Sequence, residues 1–460
     1  MRFFQRTCWA LLLALLPTCF AIAADWSCFR GPNGSGVATG QKALPTTWSE
    51  TENLKWKAKL PGKGSSCPII VGDRVFVTCW TGYGVDARDP GDIANLKRVL
   101  LCIDRKTGKT LWSKEEPAVL PEEPYERMFA QHGYASHTPV SDGKHVFVFY
   151  GKTGVLAYDM QGNKLWQTSV GTEDDPRHWG SASSPILYKN LVIVTAATES
   201  QAVVGLDKKT GREVWRQEAG GFSGTWGTPI LVDVADGKQE LVLAVPYEIW
   251  GINPENGKLR WYCNGAESDS MCASAIAHEG VVYVVGGRGS AVAVRAGGKG
   301  DVTKTHTLWS TSVSARITSP VFHQGRIYFI SGGVANCLEA SSGERVYQGR
   351  LTAGATPPPT TPPAAARSEQ RRPSRGFGRR SGGGGFGRSD YSSPVIADGK
   401  MFFVSRSGTT SVLALGTQFK QLGSNRFASD NGDFSATPAV GDGELLIRSS
   451  ATLYSVAQEK

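Results

Sequence analysis

Long apolar runs are missing from most of this 460-residue chain. Past the first two dozen residues, no stretch approaches the roughly 20 uninterrupted apolar residues of a membrane-spanning helix, so the remainder is expected to be soluble. No GxSxG, HExxH or Walker-type motif occurs, which removes the usual signatures of serine hydrolases, zinc peptidases and P-loop nucleotide binders. No CxxCH segment offers covalent haem attachment, and the cysteine spacings fit no zinc site. Charge of one sign is scarce once it is located. Arg2 and Arg6 fall in the leader, taking the formal charge from +9 to +7, and five net positive charges lie within residues 351–390, leaving only +2 for the rest.

The leader itself is legible. Residues 1–23 carry basic Arg2 and Arg6, an apolar run over residues 9–16 and a small-residue Ala21-Ile22-Ala23 pattern, the arrangement of a secretory signal peptide. Export places the mature chain in the periplasm or cell envelope. Cys8 and Cys19 go with the leader, and seven cysteines remain: Cys28, Cys67, Cys79, Cys102, Cys263, Cys272 and Cys337. An odd number leaves at least one thiol unpaired within the chain; a Cys79–Cys102 bridge across a hairpin is one candidate pairing.

A repeat dominates the rest. A small-residue patch ending in Pro leads into an apolar strand, a turn, two further strands and a Gly turn before Trp, as in SSCPIIVGDRVFV, SHTPVSDGKHVFV and SSPVIADGKMFFV. Eight copies are marked by Pro68, Pro139, Pro185, Pro229, Ala275, Pro320, Pro394 and Pro438, at steps of 71, 46, 44, 46, 45, 74 and 44 residues. Five steps match a blade of roughly 40–50 residues, and the two long ones are a blade plus an insertion. Trp112, Trp166, Trp215, Trp261 and Tyr347 each follow a Gly by four residues, so that a Gly hairpin precedes an aromatic able to pack between units; Trp56 and Trp309 are expected to dock likewise. Four short strands per unit and radial repetition specify an all-β, eight-bladed β-propeller. The last copy ends without its Gly-turn-Trp strand, and NLKWKAKL, with Trp56, supplies it from the N-terminus, closing the ring and removing its open edge. Residues 24–47 form a turn-rich lead-in and 48–460 the propeller.

The Asp-x-x-Thr-Gly-Lys/Arg-x-x-Trp pattern at Asp104–Trp112 and Asp207–Trp215 resembles the tryptophan-docking repeat of pyrroloquinoline quinone (PQQ)-like propellers, a family holding both quinoprotein alcohol dehydrogenases and BamB-type outer-membrane assembly proteins. The resemblance covers nearly the whole mature chain and implies the fold; activity has to be argued from the site. A quinoprotein of that family would carry vicinal cysteines, calcium-ligating acid and amide side chains and an Asp base; this sequence has no Cys-Cys pair, and no calcium set or catalytic Asp is assignable by motif. LPTC at residues 16–19 lacks the small residue that precedes a lipidated Cys in the tethered members.

Residues 83–98 and 113–133 lengthen the first unit and are expected to cap one face. Residues 351–390, rich in Pro, Gly, Ser and Arg, are expected to be disordered. Their Arg-Gly-Phe mixture is of the kind that binds RNA, but an exported chain rarely meets RNA; contact with anionic envelope surfaces, or simply a basic loop between blades six and seven, fits better. Residues just before each inner strand line a propeller's mouth. His132 and His178 each precede their marker Pro by seven residues in adjacent units, and Arg127, Tyr134, His137, Trp179, Trp226, Arg316 and Asp390 stand in equivalent stretches. Together they form a candidate ligand pocket with aromatic walls, the alternative being that they bond to loop backbone and pack between blades. No carboxylate or Cys spacing supports a metal at His132, His137 and His178. The expected function is a non-catalytic scaffold holding a protein or peptide partner in the envelope, as in BamB-type proteins, without a cofactor. The alternative is an oxidoreductase using PQQ with calcium at the mouth, and a third reading is a carbohydrate or peptide bound there without chemistry.

Overall fold

The computed structural model describes residues 25–286, 289–313, 315–353 and 389–459. The leader and most of the basic insertion lie outside the described residues, and with them the expectation of disorder.

Eight sheets of four antiparallel strands stand radially around a central channel, and blade 4 adds a short parallel edge strand, Gly300–Asp301. Blade 1 comprises Ile69–Val71, Arg74–Thr81, Lys97–Asp104 and Thr110–Pro117, and its first strand lies innermost. The inner strands of blades 2 to 8 are Val140–Ser141, Ile186–Tyr188, Ile230–Val234, Ile276–His278, Val321–His323, Val395–Ala397 and Ala439–Gly441. Blade 8 is completed by Leu54–Lys59, which pairs antiparallel with Thr452–Ala457, so the N-terminal strand closes the ring as the repeat count requires. Second and third strands are buried along nearly their whole length because a neighbouring blade covers each face; the outer strand Thr110–Pro117 alternates between half-buried and exposed because one side faces solvent. Lys97 and Arg98 begin a strand and residues 113–117 end one, so both insertions are shorter than their sequence limits.

The docking aromatics tie each blade to the next. Trp112 donates its indole N–H to Met160 O (3.1 Å), Trp166 to Lys208 O (2.9 Å), Trp215 to Pro254 O (3.1 Å) and Trp309 to Ala340 O (2.9 Å). Trp56 does the same across the closure, to Arg105 O (2.8 Å). Each ring lies on the turn glycine of the following blade: Gly108 has φ +73°, and a Cβ there would come within 2.7 Å of Trp56. Trp261 departs from the pattern by donating to Glu240 Oε2 (2.7 Å), which also accepts the Gly297 N–H (3.0 Å) of blade 5, so a buried carboxylate replaces the carbonyl.

A second circumferential system surrounds the channel. The residue before each marker position offers a side-chain acceptor to the backbone N–H of its counterpart one blade earlier. Cys67 N–H donates to Thr138 Oγ1, Thr138 to Ser184, Ser184 to Thr228, Thr228 to Ser274, Ser274 to Ser319, Ser319 to Ser393 and Ser393 to Thr437, all at 2.9–3.0 Å. Thr437 N–H closes the circle on Cys67 Sγ at 3.1 Å. Ser319→Ala removes one acceptor from this buried hoop and strands the Ser274 N–H; a loss of ~1–2 kcal/mol in urea unfolding is expected, and an unchanged midpoint would show that the hoop contributes nothing.

All seven described cysteines are free. Cys79 pairs with Val99 and Cys102 with Phe76, an offset of three that puts the two thiols on opposite faces of the sheet, so the hairpin bridge considered from sequence does not form.

The lead-in crosses the base of the channel. Trp26 bridges to Ile70, Ser141 N–H donates to Ser27 O (2.9 Å), and Val37 pairs with Ile396. Arg30 is fully buried there and donates to Pro320 O.

Candidate functional site

Opposite the lead-in, the extended segments before the inner strands converge on a cavity of about 150 Å3. Alternate residues face it because the chain is extended: Ser65 and Cys67, Trp226 and Thr228, Cys272 and Ser274, Ile317 and Ser319, Tyr391 and Ser393. Met128 and His132 from the first insertion lean over it, and Phe29 of the lead-in forms its floor. The Trp179 and Trp226 rings stand 4.9 Å apart, inclined at 34°, and Trp226 is pinned by donation to Gly180 O (2.7 Å). Arg177 lies on the Trp226 ring at 5.8 Å and donates to Asp269 O (3.0 Å). Among the described residues, no Asp, Glu, Lys or Arg lines the cavity.

The candidate mouth residues divide into three groups. His132, Trp179 and Trp226 line the cavity. Both His132 nitrogens are engaged, Nδ1 with Ser136 Oγ (2.7 Å) and Nε2 with Trp179 O (2.6 Å), and burial holds its pKa below the usual range, so it is a neutral strut. Tyr134 and His137 turn instead into a small cavity of about 30 Å3 beneath the cap, with Arg98, Glu122, Lys152, Ser181 and Glu199. There the Tyr134 hydroxyl donates to Glu123 O (2.5 Å) under the Arg98 guanidinium, and Arg98 pairs with Glu122. Arg127, His178, Arg316 and Asp390 line neither cavity. His178 has φ +54°, which turns its ring outward to Glu123 Oε2 (2.9 Å), and that carboxylate raises its pKa. The equal spacing of His132 and His178 therefore does not bring two imidazoles together. Asp390 caps the Arg406 N–H (2.9 Å), and Arg406 crosses the mouth to Gln131 Oε1 (2.8 Å), fastening the first insertion to blade 7. Sequence reading missed Arg406 and Met128; the hydroxyls that precede seven of the eight marker positions were visible as the small-residue patch but not read as a system.

Beneath the cap, Ser181 Oγ donates to Glu199 Oε1 and lies 3.1 Å from His137 Nε2. That geometry has the imidazole donating to the hydroxyl and leaves His137 Nδ1 and Glu199 Oε2 without protein partners. Burial raises the Glu199 pKa to about 7 and lowers that of His137 to about 3, so near neutrality the imidazole is uncharged and Glu199 is close to half-protonated.

The mouth does not suit a calcium–quinone pair. PQQ is a fused-ring quinone bearing carboxylates, and a calcium ion beside it would require oxygen ligands led by carboxylates. The cavity is smaller than the roughly 300–1,000 Å3 typical of ligand pockets, and among the described residues its wall presents no carboxylate and no cationic side chain. Among the described residues no cluster of His, Cys, Asp or Glu could hold a metal ion.

The propeller fold is shared with solved structures. BamB from Moraxella catarrhalis superposes with a TM-score of 0.57 at 12% identity, covering 88% of this chain and 97% of that one. A europium-containing methanol dehydrogenase gives 0.62 at 11% identity, covering 94% and 98%. A quinohaemoprotein alcohol dehydrogenase from Pseudomonas putida gives 0.58 at 10%, covering 94% and 80%. At such identities these likenesses speak for the propeller alone. No curated protein matches significantly in sequence. The family model described as outer membrane protein assembly factor BamB matches residues 31–174 and 96–349, more than half of the chain, and with eight PQQ-like blades to support it, this protein belongs to that family.

Proposed function

We propose that this chain is an exported, non-catalytic scaffold that holds a protein or peptide partner of the cell envelope at its mouth. The supporting observation is the chemistry of the cup: the tilted Trp179–Trp226 pair, Met128, Ile317 and Tyr391 over a floor of hydroxyls, with no acid–base pair among the described residues of the wall. Such a surface grips an apolar side chain and offers hydrogen bonds at depth; burial keeps the Cys67 and Cys272 thiols protonated and both His132 nitrogens are already engaged, so the wall carries no activated nucleophile or free base. The family match to an outer-membrane assembly factor points the same way.

A photocrosslinking residue placed at Met128 in the native host is expected to give a discrete protein adduct, reduced at least tenfold by Trp226→Ala, the effect of removing an interface anchor worth about 2 kcal/mol. In parallel, titrating purified protein with PQQ and calcium is expected to leave Trp fluorescence unchanged. A saturable one-to-one quench lost in Trp226→Ala would replace the scaffold reading with the quinoprotein one.

A further inference from the structure

The base of the channel holds a second cavity, of about 420 Å3, separated from the mouth by Phe29 and the hydroxyl hoop. It lies between the lead-in and blades 2 to 4, with Val140, Ile186, Ile230 and Leu231 as apolar walls and Asn33 and Gln239 as polar contacts. None of the described lining residues is charged.

An inner strand is a sheet edge, and its outward N–H and C=O groups need partners. Blades 1, 3, 5, 6, 7 and 8 share one hairpin geometry: three-residue inner strands, each joined to the second strand by a two-residue turn, so that the middle residue, Ile70, Leu187, Ala277, Phe322, Ile396 or Val440, directs its main-chain groups into the channel. The lead-in satisfies two of these. Ile70 N–H donates to Trp26 O (2.9 Å), Ile396 N–H to Gly36 O (2.8 Å), and Ala38 N–H to Ile396 O (2.8 Å). It also covers blade 4, where the Asn33 side chain donates to Leu231 O (3.0 Å). At Leu187, as at Ala277, Phe322 and Val440, no described main-chain group makes the corresponding bond, and of these four positions Leu187 is the one that lines the cavity.

We infer that the base cavity is a second docking cleft, which takes an extended, uncharged peptide segment of a partner protein and pairs it with the free main-chain edge at Leu187. The lead-in defines the occupant: it is extended chain, held by main-chain bonds at the equivalent positions of neighbouring blades. The uncharged wall selects against Asp, Glu, Lys and Arg in the inserted stretch, since burying an unpaired charge is costly. Alternate aliphatic side chains would meet Ile186 and Ile230 while the backbone bonds to Leu187, the strand-addition mode of peptide recognition. The inference stands apart from the mouth reading and uses different residues.

The test adds in trans an acetylated, amidated copy of residues 35–41, Ser-Gly-Val-Ala-Thr-Gly-Gln, the uncharged lead-in segment that pairs with Ile396. Binding to the mature protein is expected to slow amide exchange at Leu187 at least tenfold. Leu187→Pro, which removes the outward N–H without breaking a strand-ladder bond, and Ile230→Trp, which fills the cavity, should each weaken binding at least tenfold in protein that still melts cooperatively; Trp226→Ala should leave it unchanged. Absence of binding at millimolar peptide, binding indifferent to both base variants, or binding lost in Trp226→Ala would overturn the inference. So would protection of Leu187 that grows with protein concentration alone, which would identify a second copy of the chain as the occupant.

Discussion

Trp56→Ala should lower the unfolding free energy by ~3–5 kcal/mol, the range for removing a large buried aromatic. Trp309→Ala makes a comparable deletion between blades 5 and 6, yet the two variants should fail differently. At an ordinary junction both blades are complete and consecutive in sequence. At the closure, blade 8 takes its outer strand from the far end of the chain, held by the pairing of Leu54–Lys59 with Thr452–Ala457, the Lys55–Glu444 ion pair and the seat of Trp56 on Gly108 and Arg105. Losing that seat should free the strand and expose a sheet edge, so protease is expected to cut near residues 50–60 in Trp56→Ala under conditions where Trp309→Ala stays intact. Equal resistance would show that the closure is no weaker than any other junction.

The second large effect is one of pH and comes from the His137–Ser181–Glu199 chain. Glu199 has a folded pKa raised from 4.5 to about 7, so the folded state holds a proton that the unfolded state has lost between those values, and stability falls as pH rises through that window. His137 has a folded pKa lowered from 6.5 to about 3, so the unfolded state takes up a proton that the folded state refuses, and stability falls as pH drops through that window. Between pH 4.5 and 6.5 the two cancel: folding moves one proton from imidazole to carboxyl, and this pair gives a flat profile. Below 4.5 the His137 slope stands alone, and between 6.5 and about 7 the Glu199 slope does. Glu199→Gln should therefore convert the plateau into a rise of up to ~3 kcal/mol between pH 4.5 and 6.5, at about 1.4 kcal/mol per pH unit. His137→Gln should convert it into a fall of similar size. Melting temperatures of the two variants and wild type across pH 4–8 decide the matter; parallel curves would show that the pair is not buried and uncompensated as described.

Why the fold could be read in advance and the site only in part is clear from individual residues. Pro68 and its equivalents, the turn glycines and the tryptophans sit at places where backbone geometry admits few residues, so the blade period survives in the sequence. Trp261 shows the limit: its spacing from Gly257 is regular, but its partner is Glu240, a strand residue of its own blade that no repeat marks. The mouth was less legible because spacing locates a Cα and not a ring. His132, Tyr134 and His137 lie within six consecutive positions yet face two different cavities, and His178 is turned away by a left-handed backbone that His seldom adopts. The base cavity was invisible, since it is built by the lead-in, whose sequence repeats nothing.

The hoop of side-chain acceptors has a mechanical meaning beyond its contribution to stability. Its eight bonds run in one rotational sense and close on themselves, so no two blades can splay apart without breaking the circuit, and the bore cannot dilate like an iris. Traffic to the channel is therefore axial. A guest at the mouth would enter from one pole and a guest at the base from the other, with Phe29, Thr228 and Ser274 as the wall their two seats share.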